Sequence, residues 1–152
     1  MNITTIVKRV TYALSLLILF SSLTVTALED KAAEGTTTKL VIQISENDPS
    51  KQHLALSNVY NLQKFYGLDN IEIEVVAYGP GISLLYPDGK EASRVRSLMA
   101  QDVIFTGCQN TLDTIKANTG KEQKLIEDVG IVRAGIARII DLQGQGYRYL
   151  HP

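Results

Sequence analysis

Apolar and polar residues follow one another along this chain in blocks that predict strands and helices in turn. Residues 38–44 form an apolar, β-branched run that is typical of a buried strand. Asp48 and Pro49 then supply the N-cap and the first residue of a helix, whose apolar positions recur at helical spacing until Gly67. Residues 71–78 alternate at first and then become uniformly apolar, as expected of a strand that runs from the rim of a sheet into its core.

The alternation of strand and helix continues to the C-terminus. The pattern predicts a short helical turn at 82–86, a helix at 90–100, a strand at 103–106, a helix from Gly107 to about Gly120, a possible helical turn within 121–127, a strand at 129–132, a helix at 135–142 and a closing strand at 147–150. The connections are too long for hairpins, so they predict βαβ units. The predicted fold is therefore an α/β three-layer α/β/α sandwich with a mainly parallel sheet of about five strands.

The first 27 residues have the pattern of a secretory signal peptide. Lys8 and Arg9 precede an apolar run that closes on small residues at Ala27. The alternative is an uncleaved membrane anchor, but two serines interrupt the apolar run, which falls short of the roughly 20 residues that span a bilayer. We therefore expect a periplasmic protein that meets the membrane only through its leader before cleavage. The chain is thus divided into a signal peptide at 1–27, a flexible lead-in at 28–38 and a folded domain at 39–152.

Composition and charge narrow the classes of function. Residues 1–27 carry two of the fifteen basic residues and none of the sixteen acidic ones, so the remainder has a net charge of about −3. A mildly acidic domain without a basic stripe is not expected to bind nucleic acid. The remaining 125 residues are enough for one hydrophobic core, so its stability should not depend on a disulfide or a metal.

Cys108 is the only cysteine of the chain. It lies at the predicted junction of a strand and a helix, at the edge where parallel sheets bind their ligands. Unpaired N–H groups and the helix dipole favour a thiolate there, and Gly107 would let the backbone turn sharply and leave the sulfur open to approach. An odd cysteine count also allows an intermolecular disulfide, and a buried thiol used only for packing is the plainest alternative.

Other loop residues at the same predicted edge are candidates for ligand binding. The two glycines on either side of Pro80 could cradle an anion, although the missing N–H of the proline favours a simple tight turn. The two polar residues after Gln109 could orient a ligand, or could merely complete the first turn of their helix. The candidates are Asn47, Gly79, Gly81, Asn110 and Thr111.

Cofactor and metal chemistry find little support in the sequence. His53 and His151 have no local pattern of metal ligands around them, so no metal site is predicted. The glycines lack the spacing of a phosphate loop or a dinucleotide fingerprint. We therefore expect neither a metal nor a nucleotide cofactor.

Five segments taken together carry a resemblance to a known family. They are ENDP (46–49), HLALSNVYNL (53–62), IEIEVVAYGPGISLL (71–85), VIFTGCQNTL (103–112) and GQGYRYLHP (144–152). In this combination the chain resembles the DsrE/DsrF-like family of small α/β proteins connected with sulfur oxidation, over residues 39–152. The resemblance implies a homo-oligomer, often a trimer or hexamer, and a cysteine matching Cys108 that receives and passes on a persulfide sulfur. The predicted leader departs from the cytoplasmic sulfur-relay members, so their partners are not carried over.

Three hypotheses about function follow. In the first, Cys108 takes a sulfane sulfur from a donor, holds it as a persulfide and gives it to an acceptor protein thiol; the absence of a visibly paired acid or base favours a carrier over an enzyme. In the second, a non-catalytic periplasmic oligomer binds a small ligand or a protein in the same cleft, and Cys108 is structural. In the third, Cys108 is a redox sensor, which is less favoured because the chain has no resolving cysteine.

Overall fold

The computed structural model describes residues 37–152, so the predicted signal peptide and most of the lead-in lie outside the described residues. Within this range the strands are β1 (Thr38–Ile44), β2 (Ile71–Ala77), β3 (Ile104–Cys108), β4 (Gly130–Val132) and β5 (Arg148–Leu150). The α-helices are α1 (Pro49–Tyr66), α2 (Ala92–Met99), α3 (Gln109–Thr119) and α4 (Gly135–Gly144), and 3-10 segments occupy Leu68–Asn70 and Gly79–Leu85. None of these helices is both long and apolar enough to cross a membrane.

The five strands form one sheet in the order β4-β3-β2-β1-β5, and all four pairings are parallel. Parallel pairing brings the carboxyl ends of the strands to one edge of the sheet. At this edge Ile44 pairs with Ala77, Ala77 with Gly107, and Cys108 with Val132. The predicted parallel α/β sheet of about five strands is confirmed, and the loops after the strands lie at a common edge.

Helices cover the sheet on both faces. The main core cluster packs one face of the sheet against α1, α2 and the 3-10 segment Gly79–Leu85, and Leu112 and Ile115 of α3 pack against the same cluster. On the opposite face α4 packs Ile139 and Leu142 against Val41 and Val76. The two clusters account for the three layers of the predicted sandwich.

The start of α1 follows directly from its sequence. The Asp48 carboxylate accepts hydrogen bonds from the N–H of Ser50 at 2.8 Å and of Lys51 at 3.3 Å, and Pro49 occupies the first turn. Hydrogen bonds from the Ser50 side chain and these N–H groups hold the pKa of Asp48 below its ordinary value. The predicted N-cap is therefore confirmed, as is the end of the helix at Gly67, which has a φ of 86°.

Three local predictions differ from the structure. Residues 121–127 form no helical turn, because the Ile126 N–H bonds to the Leu85 carbonyl at 2.9 Å and ties the segment to its neighbour. Glu74 does not lie at a rim; it is completely buried under α4. Gly107 does not form a turn but lies within β3, where a Cβ would approach the Leu125 side chain to 2.8 Å. A side chain at this position would displace the end of the Leu125 side chain.

Candidate functional site

Cys108 is both the last residue of β3 and the N-cap of α3. Its side chain lies against the first residue of α4, since a Cβ built on Gly135 would be 3.4 Å from the Cβ of Cys108. The residue is only 5% exposed, so Gly107 does not leave the sulfur open to approach as expected. Two helices therefore begin at this sulfur, one on each side.

The surroundings of the thiol favour its anionic form. Burial raises the pKa of Cys108, but hydrogen bonds to the sulfur from the Gly135 N–H, the Thr111 hydroxyl and the N–H groups of Thr111 and Asn110 lower it. The lowering prevails, so the pKa lies below that of an ordinary thiol. When protonated, the thiol can donate to the Arg133 carbonyl, which lies 3.9 Å from Sγ.

Thr111 connects the sulfur to the loop that follows β2. Its hydroxyl oxygen accepts a hydrogen bond from the Gly79 N–H at 2.8 Å, which leaves the hydroxyl proton for the Cys108 sulfur. Gly79 has a φ of +52°, a backbone angle that favours glycine. The predicted candidates Gly79, Asn110 and Thr111 are thus brought together at the sulfur.

A cleft of about 550 Å³ adjoins this group of residues. It lies between the 3-10 segment Gly79–Leu85 and α3, and among the described residues that line it none carries a charged side chain. Its volume falls in the range of small-molecule sites. The lining residues are Asn47, Gly79, Pro80, Ile82, Ser83, Tyr86, Asn110, Thr111, Thr114 and Ile115.

The other two predicted ligand-binding residues have different surroundings. Asn47 lines the cleft, and its side-chain oxygen accepts a hydrogen bond from the Ser83 hydroxyl at 2.8 Å. Ser83 in turn accepts one from the Gln52 amide at 3.0 Å, so the Asn47 side chain is held in place. Gly81 is buried and does not line the cleft; a Cβ there would lie 2.2 Å from the Ile44 carbonyl oxygen. The glycine therefore allows its own backbone to approach the backbone of Ile44 closely.

Two residues at the sulfur were missed by the sequence analysis. Gly135 was expected in a loop at the ligand-binding edge and at the start of a helix but was not named as a site residue, although its backbone N–H helps to lower the pKa of Cys108. Tyr78 lies beside Cys108, since both contact the position of a Gly135 Cβ, at 3.1 Å and 3.4 Å respectively. Burial and the nearby charges of Tyr149, Cys108 and Glu46 raise the pKa of Tyr78, so its phenol stays neutral. The signal for Gly135 was its place directly after the fourth strand.

Neither histidine hydrogen-bonds the Cys108 sulfur. His151 lies 3.6 Å from the Glu46 carboxylate and 3.4 Å from the Ser45 hydroxyl, and His53 contacts Glu91 of the other layer at 3.2 Å. Within residues 37–152 there is no cluster of three or more side chains arranged to hold a metal. A larger cavity of about 690 Å³ borders the starts of β3 and β4, at the opposite end of the sheet from the sulfur.

The protein is thus of the parallel α/β class, with a cysteine at the carboxyl edge of the sheet in surroundings that favour its thiolate. A model of the DsrE/DsrF-like family matches residues 38–152, and the chain belongs to this family. Membership suggests a role related to sulfur metabolism.

A solved structure supports the assignment. The chain is similar to MTH1491 from Methanobacterium thermoautotrophicum, a protein of unknown function, with 35% identity and a TM-score of 0.67. The match covers 76% of this chain and 99% of the other. A comparison with curated proteins found no match.

Proposed function

We propose that this protein is a sulfur carrier that accepts a sulfane sulfur on Cys108 and passes it on to an acceptor thiol. The observation that carries the proposal is the place of Cys108, which is the N-cap of α3 and packs against the first residue of α4, with polar groups around the thiol that lower its pKa. Helix N-termini stabilise anions, and a thiolate is the reactive form of cysteine. The thiol therefore has the environment of a nucleophile.

The chemistry needs no external oxidant or reductant. The Cys108 thiolate attacks the outer sulfur of a donor such as thiosulfate, a new S–S bond forms, and the donor's own S–S bond breaks as its electron pair leaves with sulfite. The thiolate of the acceptor then attacks the outer sulfur of the persulfide, and Cys108 leaves as a thiolate. A thiol with a low pKa leaves faster, so the same polar groups assist both steps.

The proposal describes a carrier rather than a complete enzyme. Among residues 37–152 no carboxylate or imidazole hydrogen-bonds the Cys108 sulfur. Such a group would be expected beside a nucleophile that needs its proton removed during each turnover. Here the lowered pKa already supplies the thiolate.

The proposed carrier works as a homo-oligomer, a trimer or hexamer, in the periplasm. Four large apolar side chains remain exposed on α4 and the two strands Ile104–Cys108 and Arg148–Leu150, with Ile140 62% exposed. Apolar surface of this kind is typical of subunit interfaces. The four residues are Ile104, Ile136, Ile140 and Tyr149. Export rests on the predicted signal peptide at 1–27.

Intact-mass spectrometry after exposure to polysulfide or thiosulfate tests the proposal. The wild type is expected to gain about 32 Da, one sulfur atom, and to lose it on reduction, whereas Cys108→Ser gains nothing. Iodoacetamide added to the folded protein checks whether reagents reach the thiol. A folded wild type that forms no adduct and resists alkylation would contradict the proposal.

A second function is favoured by the uncharged cleft beside the thiol. In this alternative the protein binds a small uncharged ligand between the 3-10 segment Gly79–Leu85 and α3, and Cys108 only packs. A ligand-observed NMR screen of small uncharged compounds distinguishes the two. Binding that persists in Cys108→Ser and is abolished by Ile115→Trp, which fills the cleft, supports the ligand-binding function. If the thiol is also unreactive, ligand binding would replace the carrier proposal.

A further inference from the structure

An ion pair with a buried carboxylate lies beneath α4, on the same face of the sheet as Cys108. Arg138 of α4 donates from Nε to Glu74 Oε1 at 2.9 Å and from Nη2 to Oε2 at 2.7 Å. The Thr106 hydroxyl donates to the same Oε1 at 2.7 Å. Glu74 is 0% exposed, while the Arg138 side chain is 33% exposed. The Glu74 carboxylate is thus fully bound by two elements, β3 and α4.

Stability alone does not account for this pair. Taking the Glu74 carboxylate out of water is costly, and well-packed apolar residues of similar volume often stabilise a fold as well or better. The rest of this interface is apolar, with Val41 and Val76 of the sheet facing Ile139 and Leu142 of α4. Apolar packing is not directional, whereas a two-point contact between guanidinium and carboxylate fixes both distance and rotation. The pair therefore defines where α4 lies on the sheet.

The position of α4 determines the environment of Cys108. Gly135 is the first residue of α4 and precedes Arg138 by about one helical turn. This helix start lies against Cys108, and the Gly135 backbone N–H is the first of the groups that lower the pKa of the thiol. A Cβ at Gly135 would lie 3.1 Å from the Cβ of Tyr78 and 3.4 Å from that of Cys108, so the helix start is already at close contact. Any shift of α4 then moves the N–H away from the sulfur.

We propose that Glu74 and Arg138 form a positioning pair, which fixes α4 on the sheet so that the Gly135 N–H remains at the Cys108 sulfur. Thr106 is the third member, because its hydroxyl orients the Glu74 carboxylate. The inference rests on the proposed function, in which the Cys108 sulfur is the reactive group. Glu74 and Arg138 do not touch the sulfur and act on it through α4.

Other titratable groups face the two ends of α4, and the test must leave them unchanged. Beside Cys108 and its neighbour Tyr78 these are Arg133 with its ion-pair partner Asp113, Glu46 and Tyr149. Beside the positioning pair they are Tyr147 and Asp141. Replacing Glu74 and Arg138 together leaves the net charge unchanged. A changed thiol titration then does not arise from a change in net charge, and the Arg138→Lys variant below keeps both charges of the pair in place.

The decisive variant replaces the whole polar group by apolar residues, as Glu74→Leu, Thr106→Val and Arg138→Met in one protein. The thiol is titrated by the pH dependence of its alkylation with iodoacetamide, followed by mass spectrometry. We expect the midpoint of this titration to rise by about one pH unit. At a pH below the midpoint, the fraction of thiolate would then be about tenfold smaller. The matched control, Lys116→Met with Glu122→Gln, removes an exposed ion pair between α3 and the segment that follows it and should leave the midpoint unchanged. A folded triple variant with the wild-type midpoint would overturn the inference.

A second variant covers the case in which the triple variant does not fold. Arg138→Lys keeps the charge but replaces the fork by a single ammonium, so a smaller rise of the midpoint is expected. A folded Arg138→Lys protein with the wild-type midpoint would equally overturn the inference. Persulfide loading is measured on the same samples. If the titration midpoint of the variants rises but the wild type forms no persulfide, only the carrier proposal is contradicted. If the wild type forms a persulfide but the midpoint of the variants does not change, only the positioning pair is contradicted.

Discussion

Thr111→Val changes one hydroxyl at the centre of the site. The substitution keeps the shape of the side chain and removes the group that accepts from the Gly79 N–H at 2.8 Å and donates to the Cys108 sulfur. A hydrogen bond to a charged group contributes about 1.5–3 kcal/mol. The backbone groups that lower the pKa of Cys108 remain in the variant, and Thr111 is partly open to solvent, so we take the lower end of this range. About 1.5 kcal/mol corresponds to a rise of about one unit in the pKa of Cys108.

The assay is the pH dependence of iodoacetamide alkylation in the folded protein, with the thiolate followed in parallel by its ultraviolet absorbance. Thr114→Val is the matched control, because Thr114 lines the same cleft but its hydroxyl donates to the Asn110 carbonyl at 2.8 Å, within its own helix. Thr111→Ser restores the hydroxyl and should restore the low pKa. A folded Thr111→Val protein that titrates like the wild type would refute the view that Thr111 stabilises the thiolate.

Three further outcomes are expected. Gly135→Ala should raise the pKa of Cys108, because the added Cβ would lie 3.1 Å from the Tyr78 Cβ and push α4 away; an unchanged alkylation profile would contradict this. The mature protein should begin at Leu28, as N-terminal sequencing of the exported chain can check, and a retained residue 1 would rule out the predicted cleavage. Folding lowers the pKa of Cys108, so the wild type should become more stable relative to Cys108→Ser as the pH rises through the lowered folded pKa towards the unfolded value of about 8.5. This extra stability should be lost again as the pH falls. Denaturant titrations that show the same difference in stability at every pH would contradict the prediction.

Local sequence signals predicted the fold well, because they act over a few residues. The cap formed by Asp48, the helix end at Gly67 and the alternation of apolar runs with amphipathic segments each depend on neighbours in the chain. The order of elements then favoured a parallel sheet, and this placed Cys108 at the strand-to-helix junction where the structure has it. Segment 121–127 was the exception, because a contact with the distant Leu85 carbonyl decides its path.

The chemistry of the site depended on contacts that no local pattern contains. Gly135 lies 27 positions after Cys108, and Arg138 lies 64 positions after Glu74, so only the packing of α4 on the sheet brings each pair together. Glu74 has the alternation expected of an exposed strand position, and its burial becomes intelligible only with its partner in place. Likewise Gly107, expected to open a turn, instead makes room for the Leu125 side chain.

Transfer of an isotopically heavy sulfur shows whether Cys108 both accepts a sulfane sulfur and gives it up. Wild-type protein is loaded with heavy sulfane sulfur, freed of donor and mixed with an acceptor thiol, and both products are followed by mass spectrometry. We expect Cys108 to return to its original mass while the label appears in the persulfide of the acceptor, and Cys108→Ser to carry no label at any stage. A wild type that takes up no label, or that keeps it in the presence of excess acceptor, would contradict the account.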